Sequence, residues 1–233
     1  MFFCGPGGLL ESSLVPGVPV LELGFKNLLA YLLGSVIGSL LVGRLRGGVD
    51  IRTQGSGNAG GTNALRTQGG WFAAWVMLID VGKGFIAVAV VPALSLPGVP
   101  PDALSSRDWL AVTCAVSAVL GHVYPLWHQF RGGKGAATLV GVLAGIAPAA
   151  LAPVLGVWLV AVLLSGYVGL GTMLAACAFP AFLLISQQSV ATPLMTLGLA
   201  MAVFVPYTHR SNIRRMMSGH ESRVRSLWLL RPR

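Results

Sequence analysis

The sequence predicts an all-α integral membrane protein with seven transmembrane helices, its N-terminus outside the cell and its C-terminus in the cytoplasm. Apolar residues occupy 55% of the 233 positions and charged residues only 10%, whereas soluble domains carry about 25% charged residues. The run from Gly135 to His209 contains no Asp, Glu, Lys or Arg. The remaining charge is unbalanced, with 16 Lys and Arg against 7 Asp and Glu. These observations argue against a water-soluble enzyme and against a disordered chain.

The number of helices follows from the length of the apolar stretches. A helix that spans a bilayer needs about 20 apolar residues, so the uncharged run has room for three or four spans. This run is divided by residues that favour helix ends and loops, namely Pro148 and Pro153, Ser165-Gly166, and Gln187-Gln188-Ser189. The predicted spans are residues 25–45, 71–95, 109–127, 136–150, 152–167, 170–187 and 191–207. A single kinked helix over residues 136–167 is the alternative and would leave six spans.

Charge placement favours seven spans over six. Of the 16 cations, 13 lie in residues 44–70, in residues 128–135 and in the tail from residue 208. Seven spans put all three segments on one face, which the positive-inside rule makes cytoplasmic. Nucleic acid binding, which a pI near 10.4 would otherwise suggest, is therefore not expected. The predicted domains are a short exterior N-terminal extension (1–24), a membrane domain (25–222) and a basic cytoplasmic tail (223–233).

The first polar motif, GSGNAGGTNALR at residues 55–66, follows the first predicted span. Its glycines expose main-chain N–H groups, its short polar side chains add hydrogen-bonding groups, and its arginine can bind a phosphate with two N–H groups. An ordinary surface loop is the alternative. The candidate ligand-binding residues are Ser56, Gly57, Asn58, Thr62, Asn63 and Arg66.

The second motif, DVGKG at residues 80–84, lies within the second predicted span. Asp80 and Lys83 are three residues apart and therefore share one face of the helix. Ionisable residues within a span are costly to bury and indicate a functional site. A buried ion pair that fixes the helix register is the alternative, and both interpretations hold if Asp80 orients Lys83.

The third motif, GHVYPLWHQFRGGKGAAT at residues 121–138, precedes the fourth predicted span. Its glycines, its two cations and the N-terminus of the following helix can together bind an anion. It is not a nucleotide P-loop, because Gly135 stands where Ser or Thr must follow the lysine. A positive-inside cluster would explain the cations but not the glycines. The candidate residues are His122, Arg131, Gly132, Gly133, Lys134 and Gly135.

The fourth motif begins at His209, where the last predicted span ends, and includes Asn212. Taken alone, this basic segment is typical of contact with lipid headgroups. The three cysteines are widely spaced, and no Cys/His cluster with the spacing of metal ligands occurs, so neither a disulfide framework nor a metal site is expected. No pattern of an activated serine or cysteine nucleophile is present.

The four motifs closely resemble those of the bacterial acyl-phosphate:glycerol-3-phosphate acyltransferases, the PlsY type. The resemblance extends from about residue 27 to residue 222, and the motifs occur in the family's order: SGNAGGTNALR, DVGKG, GHVYPLWHQFRGGKGAAT and HRSNIRRMMSG. The resemblance implies a multi-pass protein of the bacterial inner (cytoplasmic) membrane with its active site on the cytosolic face. It implies transfer of a fatty acyl group from acyl phosphate to the 1-hydroxyl of sn-glycerol 3-phosphate, which gives lysophosphatidic acid and phosphate in phospholipid biosynthesis. Membrane lipid is a further expected partner. No cofactor, nucleic acid or obligate protein partner is expected.

The resemblance also implies roles for individual residues. It assigns catalysis to Ser56, Arg66, Lys83, His122, Lys134 and His209, with Lys83 near the phosphate of glycerol 3-phosphate. It assigns substrate binding to Gly57, Asn58, Thr62, Asn63, Arg131, Gly132, Gly133, Gly135, Thr172 and Asn212. Because acyl phosphate is already activated, the family implies direct transfer without an acyl-enzyme, with the acceptor's own phosphate taking the hydroxyl proton. His122 or His209 as the base is the competing hypothesis.

The chain departs from the family at one point, where a Ser-Leu-(Gly/Ala)-Ser segment is usual and Gly169-Leu170-Gly171-Thr172 stands instead. One expected serine hydroxyl is therefore absent, and Thr172 or a main-chain N–H group is expected to compensate. From another class of protein, a transporter of organic phosphates is the alternative function. Transporters bind near the membrane midplane between repeats, whereas these motifs are expected at one face.

Overall fold

The computed structural model describes residues 21–102, 106–187, 192–224 and 227–230. Over these residues the chain forms ten α-helices and no β-strand, which confirms the predicted all-α class. The helices are α1 (Leu21–Gly34), α2 (Gly38–Leu45), α3 (Gly61–Gln68), α4 (Gly70–Ala89), α5 (Arg107–Val123), α6 (Ala136–Ile146), α7 (Pro148–Ser165), α8 (Val168–Ile185), α9 (Pro193–Thr208) and α10 (Arg210–Met217). Of the predicted N-terminal extension, residues 1–20 lie outside the described residues and residues 21–24 belong to α1.

Each predicted span corresponds to a helix or to a bent pair of helices. Four segments of the described chain are long and apolar enough to cross a membrane: Gly70–Ala93, Arg107–His128, Pro148–Ser165 and Val168–Ile185. The helices α1 and α2 give a fifth if they form one span, bent by 49°. The helices α6 and α9 are apolar but shorter, with 11 and 16 residues.

The break between the fourth and fifth predicted spans lies a few residues earlier than expected, whereas the break after the fifth lies where it was expected. Residues 136–165 form two helices, which separate at Ala147, where ψ is 55°. Pro148 occupies the first turn of α7, a position that proline tolerates because the first N–H groups of a helix have no partner there. Pro153, which was expected to help end a helix, lies inside α7. By contrast, Gly166 does end α7, with a left-handed φ of +76°.

Helix α4 packs tightly against α6 because glycines remove side chains from the contact. A Cβ atom on Gly141 would lie 1.9 Å from the carbonyl oxygen of Val81, and one on Gly84 would lie 2.1 Å from that of Thr138. Further along both helices, a Cβ atom on Gly145 would lie 2.5 Å from the side chain of Val88. The Cβ atom on Gly141 would also lie 2.8 Å from the main-chain N atom of Phe85. Thr138, Gly141 and Gly145 thus face Gly84, Phe85 and Val88 in turn, so α4 and α6 run parallel.

Hydrogen bonds sort the helix ends into two groups, at opposite ends of the bundle. At one end, Glu22 at the start of α1 contacts Arg107 at the start of α5 (2.6 Å). At the other end, the hydroxyl group of Tyr31 donates to the carbonyl of Tyr124, just after α5 (2.8 Å). Helices α1 and α5 therefore run parallel. The second end, which we call the polar end, also carries the α2–α3 loop, the α5–α6 loop, the α7–α8 turn and α10.

The α4–α6 contact predicts opposite effects for two glycines on one helix. We expect Gly84→Ala to lower the free energy of unfolding by about 1–3 kcal/mol, because the new Cβ overlaps the main chain of α6. Gly82→Ala is the matched control, since nothing lies within 4 Å of a Cβ atom there and alanine favours a helix over glycine. Thermal unfolding of the two variants in detergent measures the difference. A transition temperature for Gly84→Ala at or above that of the unsubstituted protein would contradict this packing.

Candidate active site

A cavity of about 380 Å³ opens at the polar end of the bundle. Its polar groups come from the loop before α3 and α3 itself, from Asp80 of α4, from the end of α5, from the N-terminus of α6, and from α10 and the residue Glu221 that follows it. Apolar side chains of α6 to α9 form most of the rest of its wall. The structure thus brings residues of all four motifs to one space. The predicted site residues that line it are Ser56, Asn58, Thr62, Asn63, Arg66, His122, Lys134, Gly135, Thr172, His209 and Asn212.

The buried side chain of Asn63 organises the loop before α3. Its Nδ2 group donates to the carbonyls of Ile51 (2.9 Å), Gln54 (3.0 Å) and Asn58 (3.0 Å). Its Oδ1 atom accepts from the N–H group of Ser56 (2.9 Å). An amide side chain has two N–H donors and one carbonyl acceptor, so these bonds occupy most of its capacity. Asn63 therefore holds the loop that presents Ser56 and Asn58 to the cavity.

Lys83 and Asp80 form a buried ion pair beside the cavity, with Nζ 2.9 Å from Oδ1. The ammonium group also donates to the carbonyl of Val36 (2.6 Å) and to Nδ1 of His122 (2.8 Å). These three bonds use all three donors of a lysine ammonium group. Lys83 is not among the residues that line the cavity. Its placement therefore differs from the prediction, because it contacts His122 where contact with a phosphate was expected.

Nδ1 of His122 lies 2.8 Å from Nζ of Lys83 and 3.5 Å from Oδ1 of Asp80. We assign the tautomer from the shorter contact: an ammonium group only donates, so Nδ1 of the imidazole accepts and the ring proton lies on Nε2. His122 itself is buried and lines the cavity. Its Nε2–H group is the donor that remains for a ligand oxygen. A general base needs a free lone pair, which a histidine held in this way does not offer.

A chain of polar contacts links Lys134 to α10 at the cavity. The ammonium group of Lys134 donates to Oδ1 of Asn212, whose Nδ2 donates to Glu221 (2.7 Å). Glu221 also accepts from Arg215 (2.6 Å). Burial, followed by the positive charge of Arg215, lowers the pKa of Lys134 to about 8. Because Lys134 precedes the N-terminus of α6, its charge and the free N–H groups of that helix favour an anion in the same space.

His209, which follows the last residue of α9, is poorly suited to act as a base. Its Nδ1 lies 2.9 Å from the carbonyl of Val205, so Nδ1 carries the proton and Nε2 the lone pair. Burial, together with the charge of Lys134, lowers the pKa of His209 to about 4. The imidazole is therefore neutral near pH 7 and accepts a hydrogen bond more readily than a proton.

Four other predicted site residues are outside the cavity wall: Gly57, Arg131, Gly132 and Gly133. The N–H group of Gly132 donates to the carbonyl of Val123 and that of Gly133 to the carbonyl of His122, each at 3.1 Å. These two amides thus fasten the α5–α6 loop to the end of α5, where contact with a phosphate was expected. Arg131 is exposed. The predicted substrate contacts of these four residues remain predictions.

Two cavity residues, Arg215 and Glu221, were not predicted from the sequence. The basic tail was interpreted as a marker of topology, which explains Arg215 without a role in a site. Glu221, however, is the only acidic residue after Asp108. A lone carboxylate within a basic segment is a signal that could have identified it.

The segment of residues 169–172, which departs from the family pattern, lies against Asn212 at Gly169. A Cβ atom on Gly169 would lie 3.0 Å from Nδ2 of Asn212, so a serine there would require Asn212 to shift. Thr172 lines the cavity, but its hydroxyl group donates to the carbonyl of Val168 (2.9 Å). Since a hydroxyl group has one proton to donate, Thr172 offers a ligand only an acceptor in this arrangement. It therefore does not replace the missing donor.

Comparison with known proteins identifies the family. A family model described as glycerol-3-phosphate acyltransferase matches residues 25–219. The chain belongs to the glycerol-3-phosphate acyltransferase family. Members from Pelodictyon phaeoclathratiforme and Chlorobaculum tepidum are each 40% identical to it, and the matches cover 84% of this chain and 93% of each relative.

Solved structures of the same family share the fold. Two crystal structures of PlsY, an integral membrane glycerol 3-phosphate acyltransferase, match with a TM-score of 0.75 each. The glycerol 3-phosphate form is 33% identical, over 87% of this chain and 95% of that one. The lysophosphatidic acid form is 32% identical, over 90% and 98%. The chain is therefore a membrane-embedded acyltransferase of phospholipid synthesis.

The pKa of Lys134 predicts the alkaline limb of the pH profile of this acyltransferase. We expect kcat/KM to fall above about pH 8, because Lys134 is charged below its pKa and becomes neutral above it. In Lys134→Arg the guanidinium stays charged, so the decline should be absent even if activity is lower. Initial rates of acyl transfer between about pH 6 and pH 10 report this ionisation of the free enzyme. The same decline in both proteins would assign the titration to another group.

Proposed function

We propose that the chain transfers a fatty acyl group from acyl phosphate to the 1-hydroxyl of sn-glycerol 3-phosphate and releases lysophosphatidic acid and phosphate. The observation that supports this best is the two-part character of the cavity. One part is cationic and rich in hydrogen-bond donors, and the other is apolar. A donor that carries both a phosphate group and a fatty chain matches both parts at once.

The polar part offers two neighbouring sets of groups for two phosphates. Ser56, Asn58, Thr62 and Arg66 form the first set, which we assign to glycerol 3-phosphate. Lys134 and the N-terminus of α6 form the second, which we assign to the phosphate of the acyl donor, and the Nε2–H group of His122 is assigned to the adjoining acyl carbonyl oxygen. His209 and Asn212 close the space between them. Two phosphates repel each other, so a site that holds both needs several cations around it.

The apolar part extends to a similar depth on three helices. The lining residues farthest from the polar end are Val154 on α7, Phe179 on α8 and Leu197 on α9. Each lies eleven positions from the end of its helix nearest the polar motifs, which corresponds to about 16 Å at 1.5 Å per residue. The cavity therefore reaches roughly halfway into a hydrocarbon core of about 30 Å. Phe179 is the largest of the three side chains at this depth.

The reaction follows from this arrangement without a protein nucleophile. The 1-hydroxyl oxygen attacks the acyl carbonyl carbon, and the bond from that carbon to the phosphate oxygen then breaks. The Nε2–H group of His122 stabilises the developing oxyanion, and a donor of this kind contributes about 3–4 kcal/mol. Lys134 stabilises the departing phosphate. Because His122 lacks a free lone pair and His209 is a weak base, the hydroxyl proton goes to the phosphate of the acceptor.

The same proposal includes a topology of seven spans with the polar end in the cytoplasm. Alternate spans of a multi-pass protein run in the same direction. This supports the proposed topology, because α1 and α5 belong to the first and third predicted spans and run parallel, and α4 and α6 belong to the second and fourth and also run parallel. The cations of the polar end would then follow the positive-inside rule. Both substrates are phosphorylated, so an inner-membrane protein would meet them at its cytosolic face.

The function is tested with detergent-purified protein, glycerol 3-phosphate and either acyl phosphate or acyl-CoA. We expect lysophosphatidic acid from acyl phosphate alone. Arg66→Ala should lower the rate by at least about 100-fold, because a charged hydrogen-bonding partner of the phosphate is lost. Arg44→Ala is the matched control, since Arg44 is exposed and does not line the cavity. Product from acyl-CoA but not from acyl phosphate would contradict the donor assignment.

The depth of the apolar part predicts a change in chain-length preference. We expect Phe179→Ala to shift the optimum of kcat/KM toward longer acyl phosphates, because the cavity deepens when the ring is removed. Phe182→Ala is the matched control on the same helix, since Phe182 packs against the core and does not line the cavity. Rates over a series of acyl phosphates of increasing length measure the shift. An unchanged profile in Phe179→Ala would place the fatty chain elsewhere.

A further inference from the structure

The segment after α10 folds back against the end of α7. Its N–H group at Val224 donates to the carbonyl of Gly166 (2.8 Å), and that at Leu229 donates to the carbonyl of Leu163 (2.9 Å). The indole Nε1 of Trp228 donates to the carbonyl of Leu164 (3.0 Å). The last carbonyl groups of a helix have no partner within it, so this segment supplies donors that the end of α7 lacks. We call residues 221–224 and 227–229 the C-terminal clasp.

A stacked arginine closes the clasp. The guanidinium of Arg223 lies 4.5 Å from the ring centre of Tyr167 and 4.0 Å from that of Trp228. Both distances are typical of cation–π contacts. Gly166 leaves room for this stack, since a Cβ atom there would lie 3.0 Å from Cβ of Arg223 and 3.2 Å from Cγ of Trp228. The α7–α8 turn and the clasp are therefore shaped to fit each other.

The same segment touches the cavity on its other side. The carbonyl of Ser222, which directly precedes the stacked Arg223, accepts from Nη2 of Arg66 (3.1 Å). Arg66 lies near the C-terminal end of α3 and is exposed, with its side chain lining the cavity. A guanidinium has five N–H donors, so this single bond leaves most of them for a ligand. The match to the family model ends at residue 219, so the clasp lies beyond the region that this model describes.

We propose that the C-terminal clasp positions Arg66 for the phosphate of glycerol 3-phosphate, with Arg223, Tyr167 and Trp228 as the positioning residues. The proposal rests on the proposed function, in which Arg66 binds that phosphate. A long exposed side chain loses rotamer freedom when it binds a ligand, and an anchor that restricts it beforehand reduces this loss. The stack fixes residue 223, and residue 223 fixes the neighbouring carbonyl that holds Arg66.

Steady-state kinetics of Trp228→Ala test the proposal. We expect the KM for glycerol 3-phosphate to rise about three- to tenfold, the loss typical of one side chain that is no longer held in place. The kcat and the KM for acyl phosphate should stay within about twofold of the unsubstituted protein, because the groups assigned to the donor are untouched. Trp228→Phe keeps an aromatic face for Arg223 and should restore most of the affinity. Trp75→Ala, at a 52% exposed tryptophan of α4 away from the cavity, is the matched control.

The outcomes separate this proposal from a purely structural role and from the proposed function itself. An unchanged KM for glycerol 3-phosphate in folded Trp228→Ala would overturn the proposal. So would a parallel loss of kcat, both KM values and thermal stability, because that pattern indicates a structural clasp only. If Trp228→Ala does not fold, Arg223→Ala decides, since it removes the stack but keeps the main-chain bonds to α7. Failure of the proposed function would instead be seen as absence of acyl transfer in the unsubstituted protein.

Discussion

The polar end depends on one buried ion pair, between Asp80 and Lys83. A charge within apolar helices needs an opposite charge and hydrogen bonds to be stable. The ammonium group of Lys83 has three acceptors, and Asp80 is bound through Oδ1, while its buried Oδ2 has no hydrogen-bond partner among the described residues. Asp80 also accepts from the N–H group of Gly38 at the start of α2 (3.1 Å). The pair thereby joins α4 to α5 and to the break between α1 and α2. It also sets which nitrogen of His122 is free to contact a ligand. Lys83 therefore influences the cavity through His122, although Lys83 itself does not line the cavity.

The glycines of the third motif have a different structural role from the one that the sequence predicts. Glycine-rich segments next to cations are typical of phosphate loops with bare N–H groups. Here a Cβ atom on Gly132 would lie 2.0 Å from the carbonyl oxygen of His122, and one on Gly133 would lie 2.1 Å from its Nε2. The glycines therefore let the main chain pack directly on His122. The free N–H groups of the site come instead from the N-terminus of α6.

Sequence reasoning predicts the parts of this molecule that depend on composition and order along the chain. The helices follow from uncharged runs, and the gathering of the four motifs follows from charge asymmetry. The sequence could not predict which hydrogen-bonding groups of these side chains are free to contact a ligand, because this depends on partners that are distant in sequence. Lys83, for example, is bound by groups 47 and 39 residues away. Pro153 gave a wrong boundary for a related reason, since prolines are tolerated inside membrane helices when neighbouring groups satisfy the backbone.

The electrostatics of the polar end make sense only with anions present. Burial is the largest cause of the lowered pKa of Lys134, and the charges of Arg215, Arg66 and Arg210 lower it further, while the charge of Glu221 opposes them. Such a cluster repels itself and is destabilising on its own. An anion bound between these groups would remove the repulsion and raise the pKa of Lys134 again. The cavity therefore has the charge balance of a site that is more stable with an anion bound, and the proposed acyl-phosphate donor would supply that anion together with a fatty chain for the apolar wall.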